Sequence, residues 1–244
     1  MTTEIEQLAA LLQTSRNIVF FGGAGVSTES GIPDFRSAQG LWNEKLQMNF
    51  TPEQLVSHTF FLQYPEEFFS FYRAKLLYPE AQPNACHRAL ARLEQAGRLQ
   101  AIVTQNIDGL HQAAGSKCVF ELHGSVHRNY CMDCGAFYPL EYMLQTSGIP
   151  RCQKCGGRVK PDVVLYEEGL DAAVIDGAVQ AIRAADVLII GGTSLVVYPA
   201  AGLIDYFHGR ALVLINKSKT SADAQADLVI HAPIGQVLGA AVQA

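Results

Sequence analysis

The sequence predicts an α/β fold in which a doubly wound, parallel, Rossmann-like sheet carries a smaller domain formed by two insertions. Short apolar runs with the length of buried strands alternate with amphipathic segments along most of the chain. The first apolar run, residues 17–21, leads into a glycine-rich turn, which is typical of the opening of a nucleotide-binding α/β domain. The alternation is interrupted between residues 37 and 80 and again between residues 125 and 158.

These two interruptions divide the chain. The first is rich in aromatic residues, and its prolines break it into short helices. The second is rich in Cys and Gly and has no apolar period, so it needs a covalent or metal staple to hold a fold. We therefore expect three parts, which are a Rossmann-like domain from residues 1–36, 81–124 and 159–244, a helical insertion at 37–80, and a zinc-ribbon module at 125–158.

The elements of the sheet follow from the apolar runs. An amphipathic helix is predicted at residues 3–14 and another at residues 84–97, which ends at a glycine. A further helix follows the last strand. The predicted strands are, in chain order, 17–21, 101–104, 118–121, 187–190, 211–215 and 227–230.

Composition argues against several classes of protein. Of the 244 residues, 49% are hydrophobic and 17% are charged, the formal net charge is −5, and the basic residues are scattered. This pattern predicts no nucleic-acid or membrane partner. The N-terminus lacks the basic flank and apolar run of a secretory signal, and nowhere do about eighteen apolar residues run together. We expect a cytoplasmic protein with reduced cysteines.

The glycine turn is a candidate phosphate-binding loop. Gly23 and Gly25 would let the backbone approach a diphosphate, at the N-terminus of a helix. The alternative is a tight connection without a ligand. Thr28 occupies the place of the third glycine in the dehydrogenase fingerprint, and residues 41–46 show no strand ending in an acid. A hydride-transferring dehydrogenase is therefore disfavoured.

Polar side chains follow two later strands. Gln105, Asn106 and Asp108 come directly after the second predicted strand, at the sheet edge where α/β folds bind ligands. They could hold ribose hydroxyls and an amide, or the Asn and Asp could only cap the next helix. His123 follows the third strand, and histidine suits a general base at physiological pH. A lone histidine is, however, more often a packed or solvated residue.

Four of the six cysteines predict a metal site. They form two C-x2-C pairs separated by 17 residues, and glycines follow each pair. This spacing is typical of a tetrahedral zinc ion, although two reduced pairs or a redox pair are the alternatives. A site of four thiolates leaves no position for a catalytic water, so its role would be structural. The cysteines are Cys131, Cys134, Cys152 and Cys155.

Taken together, the motifs resemble the sirtuin family in its small bacterial type. The resemblance rests on seven blocks that stand in the family's order and span nearly the whole chain. These blocks are residues 23–36, 104–111 and 121–124, the two Cys pairs, and residues 160–164, 192–199 and 215–216.

The resemblance implies an NAD-dependent protein-lysine deacetylase. Nicotinamide, O-acetyl-ADP-ribose and the deacetylated lysine would be released, so NAD would be a consumed co-substrate beside one structural zinc ion. His123 matches the family's general base, and Asn106 and Asp108 match the lining of the nicotinamide pocket. Phe35 would shield the reactive ribose carbon from water. The full set implied for the dinucleotide is Gly23, Ala24, Gly25, Ser27, Thr28, Asp34, Phe35, Arg36, Gln105, Asn106, Ile107, Asp108, Gly192, Thr193, Ser194, Asn216 and Ile234.

The resemblance also implies a groove in which the substrate peptide pairs as an added strand. Its residues would be Val163, Val164, Leu165, Tyr166, Val196 and Val197. Glu167 replaces the family's glycine, so the local turn can differ and a basic flank on the substrate can be favoured. Relatives that prefer acidic acyl groups carry a Tyr and an Arg three residues apart. Tyr72 matches the first, but Lys75 replaces the second and lacks the fork that binds a carboxylate, which favours acetyl.

Two alternatives stay open beside deacetylation. Protein mono-ADP-ribosyl transfer or NAD hydrolysis would use the same pocket with a different acceptor. A non-catalytic zinc-ribbon adaptor is the alternative from another class, and the acidic net charge and the matches to catalytic residues disfavour it. The expected partners are acetylated proteins or peptides, and the oligomeric state is left open.

Overall fold

The computed structural model describes residues 2–35, 40 and 50–243. Within these residues the chain forms nine strands and nine α-helices. The strands are β1 Ile18–Gly22, β2 Leu99–Thr104, β3 Val119–Glu121, β4 Gly124–Cys131, β5 Phe137–Tyr138, β6 Val159–Val163, β7 Val187–Gly191, β8 Ala211–Ile215 and β9 Leu228–Ile230. The helices are α1 Thr2–Thr14, α2 Pro52–Leu55, α3 His58–Gln63, α4 Pro65–Lys75, α5 Ala85–Gln95, α6 Leu110–Ala113, α7 Leu140–Gln145, α8 Ala172–Ala184 and α9 Ile234–Ala241.

The large sheet has six parallel strands in the order β3-β2-β1-β7-β8-β9. All five residues of the central strand β1 are buried, and its side chains alternate between the two faces. Phe20 packs into the core beneath α1, α5 and α9, whereas Phe21 packs into the opposite core beneath α8 and the 3₁₀ turn at 200–206. Helices on both faces confirm the predicted doubly wound α/β fold. The six predicted strands are confirmed to within two residues at each end.

The smaller sheet has three antiparallel strands in the order β5-β4-β6. Its inner face shares one apolar core with α2, α3 and α4, in which Phe61, Phe68 and Tyr72 pack against Val126 and Val159. The helical insertion and the cysteine-rich segment are therefore a single packed unit. Because β6 pairs with β4, residues 159–163 lie in this smaller sheet. The division of the chain into domains stays a prediction.

None of the helices among the described residues is both long enough and apolar enough to cross a membrane.

Candidate active site

A cavity of about 780 Å³ lies over the carboxyl ends of the central strands and extends to the smaller sheet. Most of the residues predicted to bind the dinucleotide or the peptide line it. They are Gly23, Ala24, Gly25, Ser27, Thr28, Asp34, Phe35, Gln105, Asn106, Ile107, Asp108, His123, Val163, Val164, Leu165, Tyr166, Gly192, Thr193, Ser194, Val197, Asn216 and Ile234.

The turns after β1 and β7 touch through their backbones at the floor of this cavity. The N–H of Gly25 donates to the carbonyl of Gly192 at 2.8 Å. A Cβ on Gly25 would lie 2.8 Å from the Cα of Gly192, and a Cβ on Gly192 would lie 2.4 Å from the backbone nitrogen of Val26. Gly192 also has a left-handed φ of 60°. Because neither glycine can carry a side chain, the floor is bare backbone that a diphosphate can approach.

The prediction that an α-helix begins at this turn is wrong. Two 3₁₀ turns, Ala24–Val26 and Thr28–Ser30, follow the glycines. The loop is fixed instead by Asn84, the residue before α5, whose amide donates to the carbonyl of Val26 at 2.7 Å and to the hydroxyl of Ser30 at 3.0 Å. Hydrogen bonds from another element therefore replace helical geometry in shaping the turn.

Ser27 joins the two polar residues that follow β2. Its hydroxyl donates to Oδ2 of Asp108 at 2.6 Å and accepts from the amide of Asn106 at 3.1 Å. Oδ1 of Asp108 accepts from the backbone N–H of Leu110, the first residue of α6, at 2.9 Å. Burial raises the pKa of the Asp108 carboxyl, and the hydrogen bonds from Ser27 and Leu110 oppose that shift.

His123 is held from one side of its ring. Nδ1 lies 3.1 Å from the carbonyl oxygen of Gln105, which can only accept, so this nitrogen carries the proton and Nε2 is the basic nitrogen. Burial lowers the pKa of His123, and the hydrogen bond to Gln105 opposes the shift. The amide of Gln105 in turn donates to the hydroxyl of Thr193 at 3.1 Å. Next to His123, Gly124 has a φ of 73°, and a Cβ there would lie 1.9 Å from a backbone oxygen of Asp162.

The four predicted metal ligands lie together. Their sulfur atoms are all within 4.8 Å of one another. Cys131 and Cys155 are 3.4 Å apart, and Cys134 and Cys152 are 3.6 Å apart. With Zn–S bonds of about 2.3 Å, a tetrahedral site has sulfurs about 3.8 Å apart, so the donors fit one structural zinc ion. The hydroxyl of Tyr138 donates to the sulfur of Cys152 at 3.1 Å and orients it.

The strand predicted to bind the substrate peptide runs directly out of β6. The N–H of Val164 donates to the carbonyl of His123 at 3.0 Å, and the N–H of Tyr166 donates to the carbonyl of Val56 at 3.0 Å. The carboxylate of Glu168 lies 2.8 Å from Nδ1 of His58 and 3.0 Å from Nζ of Lys160. The segment is thus tied both to the loop that carries His123 and to the helical insertion.

A sequence profile of the Sir2 family matches residues 23–199. The chain belongs to the Sir2 family. It is 69% identical over 240 residues to an NAD-dependent protein deacetylase of Clostridium perfringens, covering 98% of each chain. It is 61% identical over 236 residues to a protein of the same name from Clostridium acetobutylicum, covering 96% of each.

Solved Sir2 structures share the fold of this Sir2 chain. A complex with a deacetylated p53 peptide and 3′-O-acetyl ADP-ribose is 36% identical, with a TM-score of 0.89 over 98% of this chain and 97% of the other. A complex of Sir2 with a p53 peptide and NAD+ is 37% identical, with a TM-score of 0.84 over 96% of this chain and 95% of the other.

Some predicted residues of this Sir2 chain stand apart from the cavity. Val196 is 55% exposed and does not line the cavity as far as the structure describes it. Tyr72 is completely buried and is not among the lining residues, whereas Lys75 does line the cavity. Arg36 lies outside the described residues.

The lining residues that were not predicted include His127, Lys217 and Lys219. Nε2 of His127 donates to the backbone carbonyl of Asp108 at 3.1 Å, and the ring would lie 2.7 Å from a Cβ on Gly109. Lys217 and Lys219 line the cavity beyond β8. No motif marks these three residues, because their approach to the cavity depends on which strands are neighbours in the sheets.

Proposed function

We propose that the chain is an NAD-dependent protein-lysine deacetylase that releases nicotinamide, O-acetyl-ADP-ribose and deacetylated lysine. The observation that carries the proposal is a single shared cavity. It is lined by the glycine floor, by the buried Asp108, by His123 with its basic nitrogen, and by the strand 163–166. The relatives named as NAD-dependent protein deacetylases at 69% and 61% identity support it.

The glycine turns and the polar residues after β2 are proposed to position the dinucleotide. When bound, NAD supplies an electrophilic ribose carbon from which nicotinamide departs. The backbone at Gly23, Gly25 and Gly192 faces the diphosphate, with Ser194 and Asn216 further along the same edge. Asn106 and Asp108 face nicotinamide, and their hydrogen bonds to Ser27 keep both side chains in one orientation before substrate arrives.

His123 is proposed to be the general base. Its Nδ1 proton is held by the carbonyl of Gln105, so Nε2 takes the proton from a ribose hydroxyl. The lowered pKa keeps the ring neutral, and therefore basic, at neutral pH. Phe35 lines the same cavity and is proposed to exclude water from the reacting carbon.

The protein substrate is proposed to add a strand along residues 163–166, with Val197, which lines the same cavity, on the other side. Backbone pairing gives affinity with little reading of sequence, so acetylated proteins or peptides of varied sequence fit this groove. The zinc ion is proposed to be structural. A cytoplasmic location is proposed because four of the cysteines lie together in a site that fits zinc and all six cysteines of the described chain are free.

Mass spectrometry of an acetyl-lysine peptide incubated with NAD tests the proposal. We expect deacetylation that requires NAD and yields acetylated ADP-ribose. His123→Ala should lower the rate by about 100-fold or more, as loss of a general base does. His208→Ala is the matched control, since His208 is exposed and outside the cavity lining.

Two outcomes would contradict the proposal. NAD consumption with the peptide still acetylated would favour ADP-ribosyl transfer or NAD hydrolysis on the same scaffold. Full activity in the His123 variant would remove its assignment as the base.

A further inference from the structure

The order of strands in the large sheet sets the direction of a bound dinucleotide, given the proposed function. His123 follows β3 and Asp108 follows β2, at one end of the sheet. The glycine turns follow β1 and β7, in the middle. Because the diphosphate is the centre of a dinucleotide, a nicotinamide ribose near His123 places the adenosine half over the end of β8.

Two lysines stand at that end of the cavity. Lys217 and Lys219 follow β8 directly, are exposed, and line the cavity. Between them, the carbonyl of Ser218 accepts from the side-chain amide of Asn216 at 2.8 Å, which holds the loop in a turn. Among the residues that the structure describes, neither ammonium group has a hydrogen bond or ion pair with a side chain or backbone atom.

Carboxylates are absent from the same end of the cavity lining as it is described. The acids that line the cavity are Asp34, Asp108, Glu167 and Glu168, and none of them follows β7, β8 or β9. The neighbouring acid, Asp223, is engaged elsewhere, because it accepts from the N–H of Thr220 at 2.7 Å and lies 3.1 Å from Nε2 of His231. Within the described ranges, the two lysines therefore form no ion pair with a carboxylate at this end of the cavity.

Two lysines without a neighbouring acid in the described lining affect which groups the ribose of adenosine can carry. Doubly wound folds that select unphosphorylated dinucleotides place an acid on the ribose hydroxyls, whereas a nearby cation accommodates a 2′-phosphate. We propose that Lys217 and Lys219 form a phosphate subsite for a dinucleotide phosphorylated on its adenosine ribose. NADP+ then binds in the cavity and competes with NAD.

Calorimetric titration of the full chain with NAD+ and with NADP+ tests the subsite. We expect NADP+ to bind, and increasing NAD+ to displace it. In Lys217→Ser/Lys219→Ser, the dissociation constant for NADP+ should rise about tenfold relative to that for NAD+, since two exposed charge pairs are lost. Added salt should weaken NADP+ binding more steeply in the parent than in the double variant. Lys117→Ser, an exposed lysine outside the cavity lining, is the matched control and should leave the ratio unchanged.

The outcomes separate this inference from the proposed function. If NAD+ binds and deacetylation proceeds but NADP+ does not bind, only the phosphate subsite is overturned. The subsite is also overturned if the double variant weakens both dinucleotides equally, because the lysines would then act on the shared diphosphate. A chain that binds neither dinucleotide would contradict both proposals.

Discussion

The carboxylate of Glu167 accepts two hydrogen bonds from Thr59, one from its backbone N–H at 2.8 Å and one from its hydroxyl at 2.7 Å. Glu167 has a φ of 75°, a left-handed conformation that glycine adopts more easily. The acid therefore keeps the turn that a glycine would make, and the contact ties the peptide strand to the start of α3. Whether a basic substrate flank is favoured stays a prediction.

This geometry predicts an order of stability for two variants of Glu167. Both Glu167→Ala and Glu167→Gly lose the contacts with Thr59, but only alanine keeps a Cβ in the left-handed conformation. We expect the glycine variant to have the higher free energy of unfolding, measured in urea. An alanine variant as stable as the glycine variant would show that the turn relaxes out of its left-handed conformation.

Replacing Ser27 by Ala should reduce deacetylation and shift its pH dependence. The change removes a hydrogen bond to the Asp108 carboxylate, which opposes the effect of burial on that pKa. The pKa of Asp108 should rise further, so the acidic limb of kcat/KM moves to higher pH. Loss of a hydrogen bond to a charged group predicts a fall of about tenfold or more at neutral pH. Ser221→Ala, an exposed serine outside the cavity lining, is the control.

Gly25→Ala tests the contact between the two glycine turns. Its Cβ would lie 2.8 Å from backbone atoms of Gly192, so one turn must move. We expect the free energy of unfolding to fall by about 1–3 kcal/mol and NAD+ binding to weaken at least tenfold. The control is Gly169→Ala, where an added Cβ meets nothing within 4 Å. Normal NAD+ affinity in the Gly25 variant would mean that the diphosphate does not need this floor.

Two histidines away from the cavity predict acid sensitivity of the fold. His87 and His111 are buried with ring centroids 4.7 Å apart. Burial lowers the pKa of His87 to about 4 and that of His111 well below its ordinary value. Unfolded histidines bind protons below about pH 6.5 whereas these two do not, so stability is lost as the pH falls below that value.

The size of this effect can be measured by urea unfolding between pH 7 and pH 5. Each histidine contributes at most about 1.4 kcal/mol per pH unit. His111→Phe should lower the slope of stability against pH, whereas the exposed His208→Phe should not. Equal slopes in all three proteins would mean that His111 is protonated in the folded state.

Much of the large sheet could be predicted because its strands are continuous apolar runs, such as 187–190 and 211–215. The smaller sheet could not. Strands β4 and β6 contain Arg128, Lys160 and Asp162, and their pairing depends on the aromatic core that they share with α2, α3 and α4, which no local pattern encodes.

The residues of the site that belong to sequence motifs could be predicted. The contacts between distant parts of the chain that hold those residues in place could not. The family's motifs identified Ser27, Asn106 and Asp108, but not the hydroxyl bridge that joins them. The 3₁₀ turns after the glycines depend on Asn84, which lies more than fifty residues further along the chain. The position of Lys217 and Lys219 at one end of the cavity depends on the order of the strands, which the sequence does not show.

If the strand at 163–166 binds the protein substrate as proposed, the core shared by the helical insertion and the cysteine-rich segment makes zinc a condition for substrate recognition. Strand β6 starts beside the cysteine cluster and runs without a break into the peptide strand at 163–166. A chain without zinc would lose the anchor of that strand but keep the six-stranded sheet that carries the proposed dinucleotide site. Such a chain would still bind NAD but would no longer bind a protein substrate. Loss of zinc would therefore stop deacetylation before it affected NAD binding.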